Sequence, residues 1–198
     1  LHGAAIDARL PYSLKTLAHS NALTETYAFI LENLVFNPEW MTTYLNVSVF
    51  TGSKIQWRAY FVNLMMLRRY LGKFSYEYQM FCGLQKGESL KQRFSLLYKK
   101  NLDATTGFVH RGENWLVDMD SGFYSADYLR AWIASAQIED YLVGKFGKRW
   151  FVNRHAGEFL RKLYSRGVTD EVEDVVKRLG YKPWDTSYLV KGYREVLR

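Results

Sequence analysis

The sequence predicts an all-α fold, and three observations carry that prediction. Proline occurs only 3 times in 198 residues, so long helices can run without the residue that removes a backbone donor and clashes with the preceding turn. Apolar residues recur at helical spacing in one segment after another. Residues suited to helix ends, Asn and Asp before the periodic runs and Gly after them, punctuate the chain. With 48% hydrophobic and 24% charged residues, the chain is long enough to bury a core as one compact unit over residues 1–198. The expected architecture is about eight helices packed around a central one at residues 53–81.

The opening Leu-His-Gly-Ala-Ala-Ile-Asp-Ala-Arg-Leu-Pro reads as the tail of a helix that stops before Pro11, since the residue preceding a proline disfavours helical backbone. It carries neither a cap nor a start methionine, and a fragment of a longer chain is expected. Ser20 or Asn21 can cap a helix whose apolar positions are Leu23, Tyr27, Ile30, Leu31 and Leu34. Asn37 and Pro38 open another short helix, with proline in its first turn. Residues 41–50 hold β-branched side chains, a weak strand signal that their setting between helices balances against loop or helix. Residues 53–81 are expected to form a buried central helix that tolerates Gly72 at some loss of stability.

After a break at Gly83–Glu88, a helix begins at Ser89. Residues 103–122 lack helical periodicity, and stretches of that length inside compact domains are often functional. Residues 123–147 give an Ala-rich helix ending near Gly144 or Gly147. Asn153, Thr169 and Asp185 stand where caps of the last three helices belong, and Gly167 and Gly180 close two of them. No repeat, low-complexity segment or linker divides the chain.

Cys82 is the only cysteine, which excludes an internal disulfide and a cysteine zinc site. A reducing, cytoplasmic setting is the default, and any metal needs His and carboxylate ligands. The formal charge of +7 and pI near 9.4 raise nucleic acid or an anionic membrane as partners. The basic residues, however, are scattered pairs (Arg68 and Arg69, Lys99 and Lys100, Lys148 and Arg149, Arg161 and Lys162), without a nucleic-acid motif, so solvated helix faces are expected. No apolar run reaches the roughly 18 residues of a membrane span. Asp7, Arg9, Pro11 and Lys15 interrupt any signal peptide.

The informative stretch for chemistry is Thr24 to Asn33. Glu25 and Glu32 are seven residues apart, two helical turns, so both carboxylates lie near the face of the apolar stripe. A carboxylate beside a core needs a partner; pairing with Lys or Arg, or a place at the core boundary, would satisfy it. His19 lies six residues before Glu25 without an i+4 partner, and His110 sits in the long aperiodic stretch where it could meet substrate. His2 and His155 read as structural or exposed. There is no Ser-His-Asp arrangement and no Gly-rich phosphate loop.

Leu1-His2-Gly3, followed by Glu25 through Glu32-Asn33, resembles the helical zinc peptidases of the thimet oligopeptidase and oligoendopeptidase F type. In those enzymes an HExxH helix continues as Ala-Leu-His-Gly, and a later helix supplies the third zinc ligand in the pattern E-x-x-x-x-x-x-E-N. The segments 69–77, 104–107 and 122–129 follow the family's order, so the resemblance covers most of the chain. Related thermostable carboxypeptidases have a similar Glu helix. The resemblance implies the C-terminal part of a catalytic domain, with HExxH and the remainder of the enzyme lying before Leu1. It implies Zn2+ as cofactor of the full-length protein and a peptide as substrate; the scattered charge and the short apolar runs already argue against nucleic acid or membrane as partner. A chain with one ligand is expected to be inactive alone and to hold zinc weakly.

On this resemblance Glu25 is the metal ligand and Glu32 orients a zinc-bound histidine from the next layer. Tyr124 and Tyr128, one turn apart, are the donors to the oxyanion. The family's His-x-x-Gly segment before these tyrosines is absent; the region from Trp115 to Gly122 offers Asp118 and Asp120 instead, which with His110 are candidate substrate contacts. A different class of function, a non-catalytic helical module whose basic faces bind an acidic partner, is the alternative.

Overall fold

The structure, a computed structural model, describes residues 1–16, 20–85 and 91–198. Among the described residues it is all-α, with ten helices, three short 3-10 turns and no strand. The helices are α1 (His2–Ala5), α2 (Tyr12–Thr16), α3 (Ala22–Val35), α4 (Pro38–Leu45), α5 (Val49–Gln85), α6 (Lys91–Thr106), α7 (Tyr124–Phe146), α8 (Arg154–Tyr164), α9 (Val172–Arg178) and α10 (Ser187–Leu197). None is long and apolar enough to cross a membrane.

Three of the helix starts follow from local chemistry. Asn37 has extended backbone, and its Oδ1 accepts from the Glu39 and Trp40 N–H groups at 2.9 and 3.2 Å, with Pro38 in the first turn. Asn153 likewise accepts from His155 N–H at 3.0 Å before α8. Asp185 Oδ1 accepts from Ser187 N–H at 2.9 Å and so serves α10. Each bond satisfies a donor that the first helical turn leaves without an internal partner. Thr169 does not cap α9. Glu171 stands there without a side-chain cap bond, its carboxylate being drawn to Arg130 at 3.1 Å. Residues 41–50 are not a strand: α4 runs to Leu45, Asn46 turns the chain with φ 55°, and α5 begins at Val49.

Two expectations are corrected. The aperiodic stretch at 103–122 begins as helix, because α6 continues to Thr106; after it come 3-10 turns at Gly112–Trp115 and Ser121–Phe123. α5, at 37 residues, is longer than expected and is not buried all round. Its Val49, Phe50, Trp57, Val62 and Tyr78 are between 45% and 71% exposed, while Lys73, Tyr76, Glu77 and Met80 are buried. Apolar residues lie on every side of this helix, so periodicity could not say which face a neighbour covers.

Contacts divide the chain into two compact units, Leu1–Tyr60 with Arg130–Arg198, and Phe61–Leu129. Both crossings fall within helices, α5 and α7, and no change in composition marks them.

The first unit is built on stripes at helical spacing. Leu23, Tyr27 and Ile30 of α3, Ala134, Ile138 and Leu142 of α7, Ala156, Leu160 and Tyr164 of α8, and Val172, Val175 and Val176 of α9 form one buried cluster with Trp150. Phe29 stacks on Trp132 with ring centres 5.1 Å apart. Buried Gln137 donates to the carbonyls of Lys182 and Asp185 at 2.9 and 3.4 Å, fastening the segment before α10 to α7. The N-terminal segment is tied down where Val168 N–H donates to the Leu14 carbonyl at 2.9 Å. Gly167 makes that approach possible: its φ is +58°, and a Cβ there would lie 2.4 Å from the Leu14 oxygen.

The second unit packs α5 against α6 through Tyr76, Met80, Phe94, Tyr98 and Leu102, with Trp115 and Met119 closing over them. Gly72 sits at the closest approach. A Cβ there would lie 2.3 Å from Thr105 Oγ1 and 3.2 Å from the Asn101 carbonyl oxygen, so the residue expected only to weaken a helix allows two helices to meet.

Candidate functional site

The residues singled out from the sequence fall into two groups, one in each unit. In the first unit α3 carries Glu25 and Glu32. The inward face of α3 is locked by Ala22, Leu23, Thr26, Tyr27 and Ile30, which leaves Glu25 half-buried and Glu32 exposed at the flank. Glu32 is nonetheless held above its ordinary carboxyl pKa, first by partial desolvation and then by the charge of Glu25. The two carboxylates therefore feel one another, as their two-turn spacing of about 10 Å along the axis predicts.

Next to Glu32, Asn33 faces a group that the sequence did not single out. Glu139 of α7 is half-buried, and desolvation pushes its carboxyl up to about 7, opposed by a hydrogen bond from Asn33. Tyr60 lies in the same neighbourhood. Its phenol is raised first by burial and then by the Glu139 charge, and its ring meets Tyr193 edge-on at 5.6 Å. The signal available in the sequence was Glu139 on the same turn as Gln137 and Ile138 in an Ala-rich helix, which does not by itself mark a buried acid.

In the second unit Tyr124 and Tyr128 come together, with ring centres 4.9 Å apart, and Tyr70 packs on Tyr128 at 4.7 Å. The Tyr70 phenol is raised to about 12, chiefly by burial and then by Asp120. Asp118 and Asp120 also come together, but around cations of this chain. Asp118 receives hydrogen bonds from Arg69 and from Tyr98, the latter at 2.7 Å. Lys73, whose side chain is 4% exposed, lies 2.8 Å from Asp120 and 3.7 Å from Asp118. Buried Glu77 accepts from Ser125 Oγ and from Asp120 N–H, and desolvation outweighs those bonds to raise its pKa. Tyr76 donates to the Trp115 carbonyl.

These bonds clamp residues 115–125 onto α5. Both aspartates, expected to contact substrate, thus have their charge matched inside the protein. His110 is similarly occupied: its backbone N–H donates to Asp103 at 2.7 Å, its ring nitrogen lies 3.2 Å from the same carboxylate, and the ring meets Tyr98 edge-on at 6.3 Å. Lys73 and Glu77, an i,i+4 pair of the kind usual on helix surfaces, are the members sequence reasoning missed. Their placement on the Gly72, Tyr76 and Met80 side of α5 was the available clue.

Of the remaining histidines, His155 is exposed beside Glu158, and His19 lies outside the described residues. His2 packs edge-on against Tyr27 and Tyr164 at 5.0 and 5.6 Å. Burial lowers its pKa, which favours a neutral structural ring. Among the described residues no three His, Cys, Asp or Glu side chains are placed to hold a metal ion. Comparison with protein families, with curated proteins and with solved structures finds no match for the chain.

Proposed function

We propose that this chain is the helical C-terminal part of a zinc-dependent peptidase, contributing Glu25 as the anionic metal ligand. The supporting observation is the placement of Glu25 half-buried on α3, a helix held rigid by its packed face, with Glu32 two turns along sensing its charge. Rigid placement is what a ligand needs, because coordination tolerates little displacement. Glu25 would hold the ion together with two histidines supplied from before Leu1, as the resemblance to the thimet oligopeptidase type implies. Glu32 would orient one of those histidines by a hydrogen bond. When bound, zinc supplies a Lewis acid and lowers the pKa of its water. Tyr124 and Tyr128 are the proposed hydroxyl donors to the oxyanion.

The test uses the protein extended through the residues that precede Leu1. After dialysis, metal content is measured by mass spectrometry for wild type, Glu25→Gln and Glu32→Gln. Glu25→Gln is expected to lose zinc and peptidase activity, because the ion loses its anionic protein ligand. Glu32→Gln is expected to retain metal with affinity weakened by about 10- to 100-fold. Full zinc occupancy in Glu25→Gln refutes the assignment, and absence of HExxH upstream removes its basis.

A second hypothesis is a non-catalytic helical module whose basic faces bind an acidic partner. Zinc retention by the extended protein separates the two.

A further inference from the structure

We infer that the first unit carries a binding socket for an aromatic side chain of an acidic peptide, formed where α4, the 3-10 turn Trp150–Val152 and α8 meet. The cavity, about 290 Å³, is lined by Leu34, Trp40, Tyr44, Trp150, Phe151 and Leu160, with Asn153 and Gly157 completing it. That volume is at the small end of the roughly 300–1,000 Å³ typical of ligand sites, the scale of one large side chain rather than of an extended ligand.

The aromatic rings stand around the space rather than filling it. Trp40 meets Tyr44 at 5.5 Å with planes tilted by 47°, Tyr44 meets Phe151 at 6.2 Å and 60°, and Trp150 meets Phe151 at 6.3 Å and 74°. Trp150 and Leu160 are anchored in the core, at 4% and 8% exposure, whereas Tyr44 is 55% exposed. The socket thus has a fixed floor and an open lip, the arrangement in which a buried aromatic anchor contributes most to association. Asn153 uses its Oδ1 as the cap of α8, so the amide nitrogen is the end of that side chain available as a donor.

Charge decides the class of occupant. Exposed Lys148 and Arg149 immediately precede Trp150 and form the basic rim; Arg154, which follows Asn153, is paired with Glu158 at 2.9 Å and adds no net charge. Arg149 also reaches across to Thr43 Oγ1 of α4 at 3.2 Å, which ties its guanidinium to the helix that carries Trp40 and Tyr44. The carboxylates adjoining the lining residues are Glu39 and Glu158, and Glu158 is engaged by Arg154 at 2.9 Å and His155 at 3.2 Å. An aromatic cage alone also suits quaternary ammonium, but a cation would meet this basic rim on a chain of formal charge +7. An aromatic anchor flanked by Asp or Glu satisfies both the rings and the rim. The socket does not depend on the zinc proposal.

Gly157 provides the decisive variant. It lines the socket from α8, and a Cβ there meets nothing within 4 Å, so Gly157→Leu adds a bulky side chain at the socket without a clash while favouring the helix. The experiment is fluorescence anisotropy with a labelled Asp-Glu-Trp-Glu-Asp peptide and a Lys-Lys-Trp-Lys-Lys control, on the whole 198-residue chain. The acidic peptide is expected to bind saturably and the basic one not. Gly157→Leu and the exposed-lip variant Tyr44→Ala should each weaken binding by about tenfold or more, with circular dichroism unchanged. Arg149→Glu should weaken the acidic peptide selectively. Equal affinity in Gly157→Leu and wild type, equal binding of both peptides, or displacement of the acidic peptide by millimolar tetramethylammonium overturns the proposal. If Gly157→Leu alone fails to fold, Tyr44→Ala and Arg149→Glu decide it.

Discussion

Replacing Glu139 by Gln should make the protein more stable in a pH-dependent way. Desolvation lifts this carboxyl from 4.5 to about 7 in the folded state, and the Asn33 amide only partly offsets it. Because the folded pKa is the raised one, the folded state holds more protons than the unfolded chain between about pH 4.5 and 7, and stability falls as pH rises through that window. Below it the acid is neutral in both states and contributes no penalty. Above it the full difference between 4.5 and about 7 amounts to roughly 3 kcal/mol of destabilisation. Gln removes the ionisation and keeps an oxygen to accept from Asn33. Urea unfolding should therefore show Glu139→Gln and wild type alike near pH 4 and the variant more stable by about 3 kcal/mol at pH 8.5. For a chain of this size that corresponds to about 6–12 °C in Tm. A variant that differs from wild type equally at both pH values, or that is less stable at pH 8.5, refutes the view of Glu139 as a desolvated acid.

The remaining predictions concern packing, buried charge and catalysis. Gly72→Ala should destabilise the chain despite the better helix propensity of Ala, because overpacking against Asn101 and Leu102 of α6 costs about 1–3 kcal/mol. The open-sided Gly144→Ala should stabilise it by about 0.5–1 kcal/mol, and thermal melts of the two should move in opposite directions. Asp120→Ala should lower stability in urea more than Lys73→Met does, since the first leaves a buried ammonium with its more distant partner at 3.7 Å and the second leaves none. In the extended protein, Tyr124→Phe or Tyr128→Phe should lower kcat far more than it raises KM, loss of an oxyanion donor being worth about 3 kcal/mol in the transition state. Wild-type turnover in both would remove these phenols from the proposed chemistry.

What was legible in the sequence is what neighbours along the chain decide. Asn37 before Pro38, Asn153 before α8 and the glycine with positive φ at 180 act over four residues or fewer, as do the hydrogen bonds of the helices they bound. The all-α class followed, as did the common face of Glu25 and Glu32, because both express a 3.6-residue period. Burial of charge was not legible, since it depends on partners far apart in sequence. Lys73 and Asp120 are separated by 47 residues, Arg69 and Asp118 by 49. Asp118 and Asp120, taken alone, read as acids free to meet substrate; only the folding of residues 115–125 onto α5 turned them into counter-ions. The same holds for Glu139, whose pKa is raised by desolvation that arises only once α7 is packed in the fold, against a partly offsetting hydrogen bond from Asn33 of α3. It holds also for α5, where apolar residues on all sides left the choice of covered face to its neighbours. Local backbone preference selects the helices, whereas desolvation and charge matching depend on which helices meet, and that the tertiary structure alone decided.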